Sequence, residues 1–137
     1  MPATLQDALA KLPKLPVVVS TGSGFPGPGQ ASVSILFVDG TRLEADYWRL
    51  TENGAASYTS FDHQQKYGLP EIIDAVVELR NRLTGKSLMS ALHDLETGDL
   101  IFEFSGSTKL QILNVTGYEI WELRFPSGAV TYSNGAK

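Results

Sequence analysis

The sequence predicts an α+β fold: an antiparallel meander sheet or partly closed barrel of seven to eight strands, with one packed helix and a short N-terminal helix. Three observations carry this. Residues 32–61 alternate apolar and polar with turn signals between the runs, residues 70–83 switch to helical spacing, and residues 86–132 return to short runs separated by Gly-containing turns. A chain of 137 residues accommodates one core rather than two. It is therefore expected to form a single α+β domain, with residues 1–31 as a helix and Gly/Pro-rich loop and residues 32–137 as the sheet plus a helix at 70–83.

The elements follow in order. Thr4 is placed to cap a short helix, with Asp7 three residues on, and Leu5, Ala8, Leu9 and Leu12 form an apolar stripe that Pro13 and Pro16 end. Val17-Val18-Val19 favour a strand, and Ser20 to Gly29 then read as either a flexible arm or a loop fixed by Phe25. Val33, Ile35 and Phe37 alternate over residues 32–38, Asp39-Gly40 is a hairpin turn, and Leu43, Ala45 and Tyr47 continue the alternation over 41–50. A turn at Glu52-Asn53-Gly54 leads to a strand at 55–61. Pro70 opens and Gly85 closes a helix whose Ile72, Ile73, Val76, Leu79 and Leu83 share one face, with Glu78 and Arg82 paired one turn apart outside. Strands are then expected at 86–95, 99–104, 109–115, 118–125 and 129–132. The turns Thr97-Gly98, Ser105-Gly106, Thr116-Gly117 and Ser127-Gly128 leave no room for parallel crossovers.

Composition excludes several classes of function. With no cysteine, thiolate zinc sites and thiol nucleophiles are ruled out, leaving metal chemistry to two His and the carboxylates. Fifteen acids against eleven bases, a net charge of −4, argue against a nucleic-acid binder, which needs a basic face. Residues 1–11 carry no apolar run of signal-peptide length, and the longest apolar stretch, residues 15–19, is broken by Pro16. A cytoplasmic protein with no membrane association is expected; the absence of cysteine fits a reducing compartment and is also compatible with a bacterial periplasm.

Motifs that formally match chemistry have simpler readings. Gly22-Ser23-Gly24-Phe25-Pro26-Gly27 fits a dinucleotide-binding pattern, but Pro26 and Pro28 stand where the phosphate-binding helix would begin. Gly85-Lys86-Ser87 resembles the end of a phosphate loop, yet the position that should hold its first glycine is Arg80, inside the helix. No Gly-x-Ser-x-Gly elbow occurs. Asn114-Val115-Thr116 matches a glycosylation sequon in strand-like surroundings and is read as structural. His63 beside Asp62, and His93 beside Asp94 with Glu96 beyond, are the only imidazoles, and neighbours on a strand point to opposite faces, so neither forms a dyad by spacing alone. No catalytic residue, metal site or cofactor is assigned.

The charge distribution is more informative. Residues 87–123 hold the acids Asp94, Glu96, Asp99, Glu103, Glu119 and Glu122 and the single base Lys109, a local charge of −5. These carboxylates are expected to share a solvated face, serving either solubility and edge protection or a basic partner. Tyr118, Trp121 and Tyr132 are the aromatics near it.

Three segments, Tyr47-Trp48-Arg49-Leu50, Asp99-Leu100-Ile101-Phe102-Glu103-Phe104 and Gly117-Tyr118-Glu119-Ile120-Trp121-Glu122-Leu123, occur in an order that resembles small uncharacterised bacterial α+β proteins. Some of those look like immunity proteins of polymorphic toxin and contact-dependent inhibition systems. The resemblance spans roughly residues 33–133, implies this fold class and toxin neutralisation by binding, and transfers no catalytic residue.

The expected function is thus a non-catalytic protein-binding module, most specifically an immunity protein that neutralises a cognate toxin, with a basic toxin domain as the expected partner. Its partner-binding residues are Asp94, Glu96, Asp99, Glu103, Tyr118, Glu119, Trp121 and Glu122. The alternative is a small-ligand binder or enzyme using the mouth of a curved sheet, with His63, His93, Tyr58 and Arg49 as its polar set. A third reading, an oligomeric structural protein, rests on the edge strands that an open meander exposes.

Overall fold

A computed structural model describes residues 4–24 and 26–134. The chain runs α1 (Leu5–Ala10), β1 (Val18–Thr21), β2 (Val33–Leu36), β3 (Arg42–Ala45), β4 (Trp48–Glu52), β5 (Ala55–Thr59), a 3₁₀ turn (Ser60–Asp62) and α2 (Ala75–Leu83). Strands β6 (Leu88–His93), β7 (Leu100–Phe104), β8 (Thr108–Ile112), β9 (Trp121–Arg124) and β10 (Val130–Tyr132) complete it.

The α+β class holds, but the single sheet or partly closed barrel of seven to eight strands is replaced by two open antiparallel sheets of five strands each. Sheet I has the order β1-β2-β3-β9-β10 and sheet II the order β5-β4-β8-β7-β6. The expected strand at 41–50 is cut in two, and its halves go to different sheets. The cut falls at one peptide unit: the Asp46 N–H donates to Ile120 O beside sheet I, while Tyr47 O accepts from the Leu113 N–H beside sheet II. The buried positions change phase there, from Leu43 and Ala45 to Trp48 and Leu50, so Tyr47 leaves the inward row. The chain crosses back between β8 and β9, so the crossing strands pair with one another, β3 with β9 and β4 with β8.

Both sheets turn one face into a shared core. Val33, Ile35, Leu43 and Leu123 come from sheet I, and Trp48, Leu50, Leu100, Phe102, Leu110 and Ile112 from sheet II. Phe37 and Phe102 meet across it with ring centroids 5.8 Å apart. Trp48 is fully buried, and its indole N–H donates to Ala31 O at 2.8 Å, so the largest apolar side chain in the core carries no unpaired donor. Helix α1 packs on β6 and helix α2 on β1 and β5, covering outer strands of the two sheets.

The Thr4–Asp7 capping box forms as expected, each side chain taking the other's backbone N–H. Helix α2 begins later than Pro70. Gln64 N–H donates to Ile73 O and Ile73 N–H to Gln65 O, which holds residue 73 extended, and Asp74 then caps the helix by accepting from Val77 N–H. Ile72, expected on the inward face, is consequently exposed. The Glu78–Arg82 pair is present at 3.6 Å.

Phe25 lies outside the described residues, so its expected role in fixing the Gly/Pro loop has no structural account. The flanking residues are held by Gly22 N–H to Ser32 O and Gly29 N–H to His63 O. No helix begins at this loop, and β2 follows it, as the prolines require. Among the described residues no helix is long and apolar enough to cross a membrane.

Candidate partner interface

Two connections meet at one end of the molecule: the β6–β7 turn, residues 94–99, and the β8–β9 crossing, residues 113–120. The turn is built by its own carboxylates. Asp94 Oδ1 accepts from the Glu96 and Thr97 N–H groups at 2.9 and 3.3 Å, and Asp99 Oδ1 accepts from the Asn114 N–H at 2.7 Å. Asp94 and Asp99 are thereby committed to backbone donors, whereas Glu96 projects to solvent.

Asparagines lock the crossing to this turn. Asn114 Nδ2 donates to Thr97 O at 2.9 Å, and Asn114 and Asn134 exchange side-chain amide bonds at 3.2 and 2.8 Å. Asn134 Nδ2 also reaches the carbonyls of Thr116 and Tyr118, each at 2.9 Å. Beneath them, Ser133 Oγ accepts from the Ile120 and Trp121 N–H groups, and the Trp121 indole donates to Gly98 O at 3.0 Å. The Asn114 amide that a glycan would need is therefore occupied, consistent with a structural reading of the sequon.

On this braced scaffold, three apolar side chains face water: Leu95 is 88% exposed, Tyr118 81% and Val115 51%. Glu96 and Glu119, both exposed, come from the same two connections. Sequence reasoning named Tyr118 but missed Leu95 and Val115. They stand at the last positions of the strands expected at 86–95 and 109–115, but β6 ends at His93 and β8 at Ile112, so both fall in the connections; the available signal was the turn chemistry of Asp94 and Asn114 just before them.

The other residues of the acidic set lie elsewhere. Glu103 stands on the outward face of sheet II, 3.6 Å from Lys109, and accepts from Ser90 Oγ. Glu122 stands on the outward face of sheet I, 3.5 Å from Arg124. It also accepts a hydrogen bond from Tyr132, which holds the tyrosine pKa above its ordinary value. The six carboxylates do not form the one solvated face that alternation suggested, because β7 and β9 belong to different sheets. Trp121 is 3% exposed and supports the surface from below.

The polar set of the ligand-binding alternative does not converge. His63 is 8% exposed, and its Nδ1 accepts from Ala75 N–H, the first residue of α2, at 3.1 Å. That bond puts the neutral ring's proton on Nε2, so the free nitrogen is a donor and not a base. It lines a cavity of about 180 Å³ with Thr21, Ser32, Gln64 and Asp74. His93 ends β6 with its ring edge-on to Trp121, Tyr58 lies under the Arg82 guanidinium, and Arg49 binds Gln111 on the outward face of sheet II. Among the described residues no group of three or more His, Asp or Glu has an arrangement that would hold a metal ion. A larger cavity, about 540 Å³, lies between α1 and the turns around Asp39 and Ser127, and neither histidine lines it. No protein-family model, curated protein or solved structure matches the chain.

Proposed function

We propose that this chain is a non-catalytic protein-binding module, specifically a bacterial immunity protein that binds and neutralises a cognate toxin in the cytoplasm, and that the end formed by residues 94–99 and 113–120 meets the toxin. The observation that supports this is the trio Leu95, Val115 and Tyr118, held in water on hydrogen-bonded connections beside Glu96 and Glu119. Leaving three large apolar side chains exposed on an ordered surface costs solvation free energy that binding a partner recovers. A pre-braced loop pair also loses little conformational entropy on docking. The carboxylates suit a basic partner, whose approach they would accelerate.

The test is co-expression with the product of the adjacent upstream gene. Rescue from toxicity together with a co-purifying complex is the expected result, and Leu95→Ala and Tyr118→Ala should each weaken that complex by roughly tenfold or more, about 1.4 kcal/mol. A complex that both variants leave unchanged would remove this surface from the mechanism, and absence of toxicity and of any complex would remove the function.

A further inference from the structure

The outward face of sheet I carries its charges in an unusual register. Cross-strand pairing sets Arg42 directly opposite Arg124 and Glu44 directly opposite Glu122, so like charges are neighbours on the adjacent strands β3 and β9. Such pairs are unfavourable in an isolated sheet. Exchanging the residues on either strand would have given two attractive pairs. The only ion pair recorded among these four groups is Glu122 with Arg124 on the same strand, and Arg42 has none among the described residues.

The register extends into two rows across all five strands. One row is Val18, Leu36, Arg42, Arg124 and Val130, and the next is Ser20, Ser34, Glu44, Glu122 and Tyr132. Val18, Leu36, Arg42, Arg124, Ser20 and Tyr132 are exposed, Val130, Glu44 and Glu122 are half-buried, and Ser34 is buried, with one Glu44 carboxylate oxygen buried and unpartnered among the described residues.

We propose that this face binds a second copy of the chain about a two-fold axis running along the rows, between the stacked sheets. That rotation keeps each strand position and exchanges the rows. Glu44 of one copy then stands over Arg42 of the other, Glu122 over Arg124 and Tyr132 over Val130. Every like-charge pair gains two opposite charges across the interface, and the arrangement is self-complementary as an isologous dimer requires. Face-to-face sheets pack about 10 Å apart, a gap that Arg and Glu side chains from the two sides bridge. No other orientation about a two-fold in this plane matches both rows: an axis along the strands sets Glu over Glu and Arg over Arg.

Sedimentation equilibrium of the full chain tests this. A reversible monomer–dimer equilibrium is expected up to about 100 μM, above the micromolar end of standard-size interfaces, and it should weaken several-fold as salt is raised. The double variants Arg42→Glu/Arg124→Glu and Glu44→Arg/Glu122→Arg should each be monomeric, and an equimolar mixture of the two should restore a dimer, because the all-acidic face then meets the all-basic one. If either swapped chain fails to fold by circular dichroism, Arg42→Gln/Arg124→Gln keeps the shape of the face and should weaken the wild-type dimer at least tenfold. A wild-type chain that stays monomeric at low salt overturns the proposal, as does a dimer that these substitutions leave intact. The toxin-binding end lies on other residues, so its test stands or fails separately.

Discussion

Gly98 shows how closely single residues determine the exposed end. Its φ of +82° lies in the left-handed region, and a Cβ there would fall on the Asn114 side-chain amide that braces the crossing. Gly117, nineteen residues later in the same surface, has nothing within 4 Å of its Cβ direction. Gly98→Ala should therefore cost about 2–3 kcal/mol in urea unfolding, through backbone strain and the displaced amide. Gly117→Ala should stay within about 0.5 kcal/mol. Equal effects of the two substitutions would show that the Asn114 contact is not what the glycine protects.

Between elements, polar side chains do work that apolar packing cannot. Helix α1 protects the edge of β6 with a single side chain: Gln6 Nε2 donates to Ala91 O at 3.0 Å and Gln6 Oε1 accepts from His93 N–H at 2.8 Å. The side-chain amide thus stands in for the peptide of a neighbouring strand. Gln6→Ala should speed hydrogen exchange at the His93 amide by at least tenfold while leaving the amides of β7 and β8 unchanged, and unaltered exchange at His93 would refute the capping role. Helix α2 is tied to the β4–β5 hairpin through Glu52, which accepts from Ser57 Oγ and from Arg82 Nη1, each at 2.7 Å, while Arg82 lies over the Tyr58 ring.

The Ser57 hydroxyl, foremost, holds the Glu52 carboxyl below its ordinary pKa; burial opposes it, and the Arg82 guanidinium adds to the lowering. A depressed folded-state pKa contributes stability that is present above the unfolded-state value and is lost as pH falls through the folded one. Wild type and Glu52→Gln should accordingly differ most at neutral pH, with wild type more stable, and converge in acid. A difference that persists unchanged into acid would assign the effect to packing instead.

At the scale of the molecule, the apolar faces of the two sheets are buried in one shared core, so neither sheet has a core separate from the other's. Trp48 lies in sheet II and Trp121 in sheet I, both buried, which gives a reporter in each. Unfolding followed by fluorescence in Trp121→Phe and in Trp48→Phe should coincide, within each variant, with loss of secondary structure by circular dichroism. A separation of the two signals in either variant would mean that the sheets unfold independently.

The architecture was partly legible. Alternation and the Asp39-Gly40 and Asn53-Gly54 turns located the hairpins, the helical period located α2 although not its start, and Thr4 with Asp7 located α1. The phase change from Leu43 and Ala45 to Trp48 and Leu50 was also in the sequence, but a continuous alternation through Tyr47 fits almost as well by pattern alone. The exposed end was legible only in Tyr118 and in the acids of the two connections.

What the sequence by itself determined is the α+β class, the antiparallel pairing of chain neighbours, the caps and turns, and the location of the acidic stretch. Those are local properties, set by side-chain period and by the φ preferences of Gly, Pro, Asn and Asp. The tertiary structure alone decided that there are two sheets, that β3 lies beside β9 and β4 beside β8, and that the six carboxylates divide among a loop end and two outward faces. The physical reason is that alternation separates inside from outside but carries no label for the sheet a strand joins. That choice is made by the shared core, which needs both inner faces to close over Trp48 and Phe102.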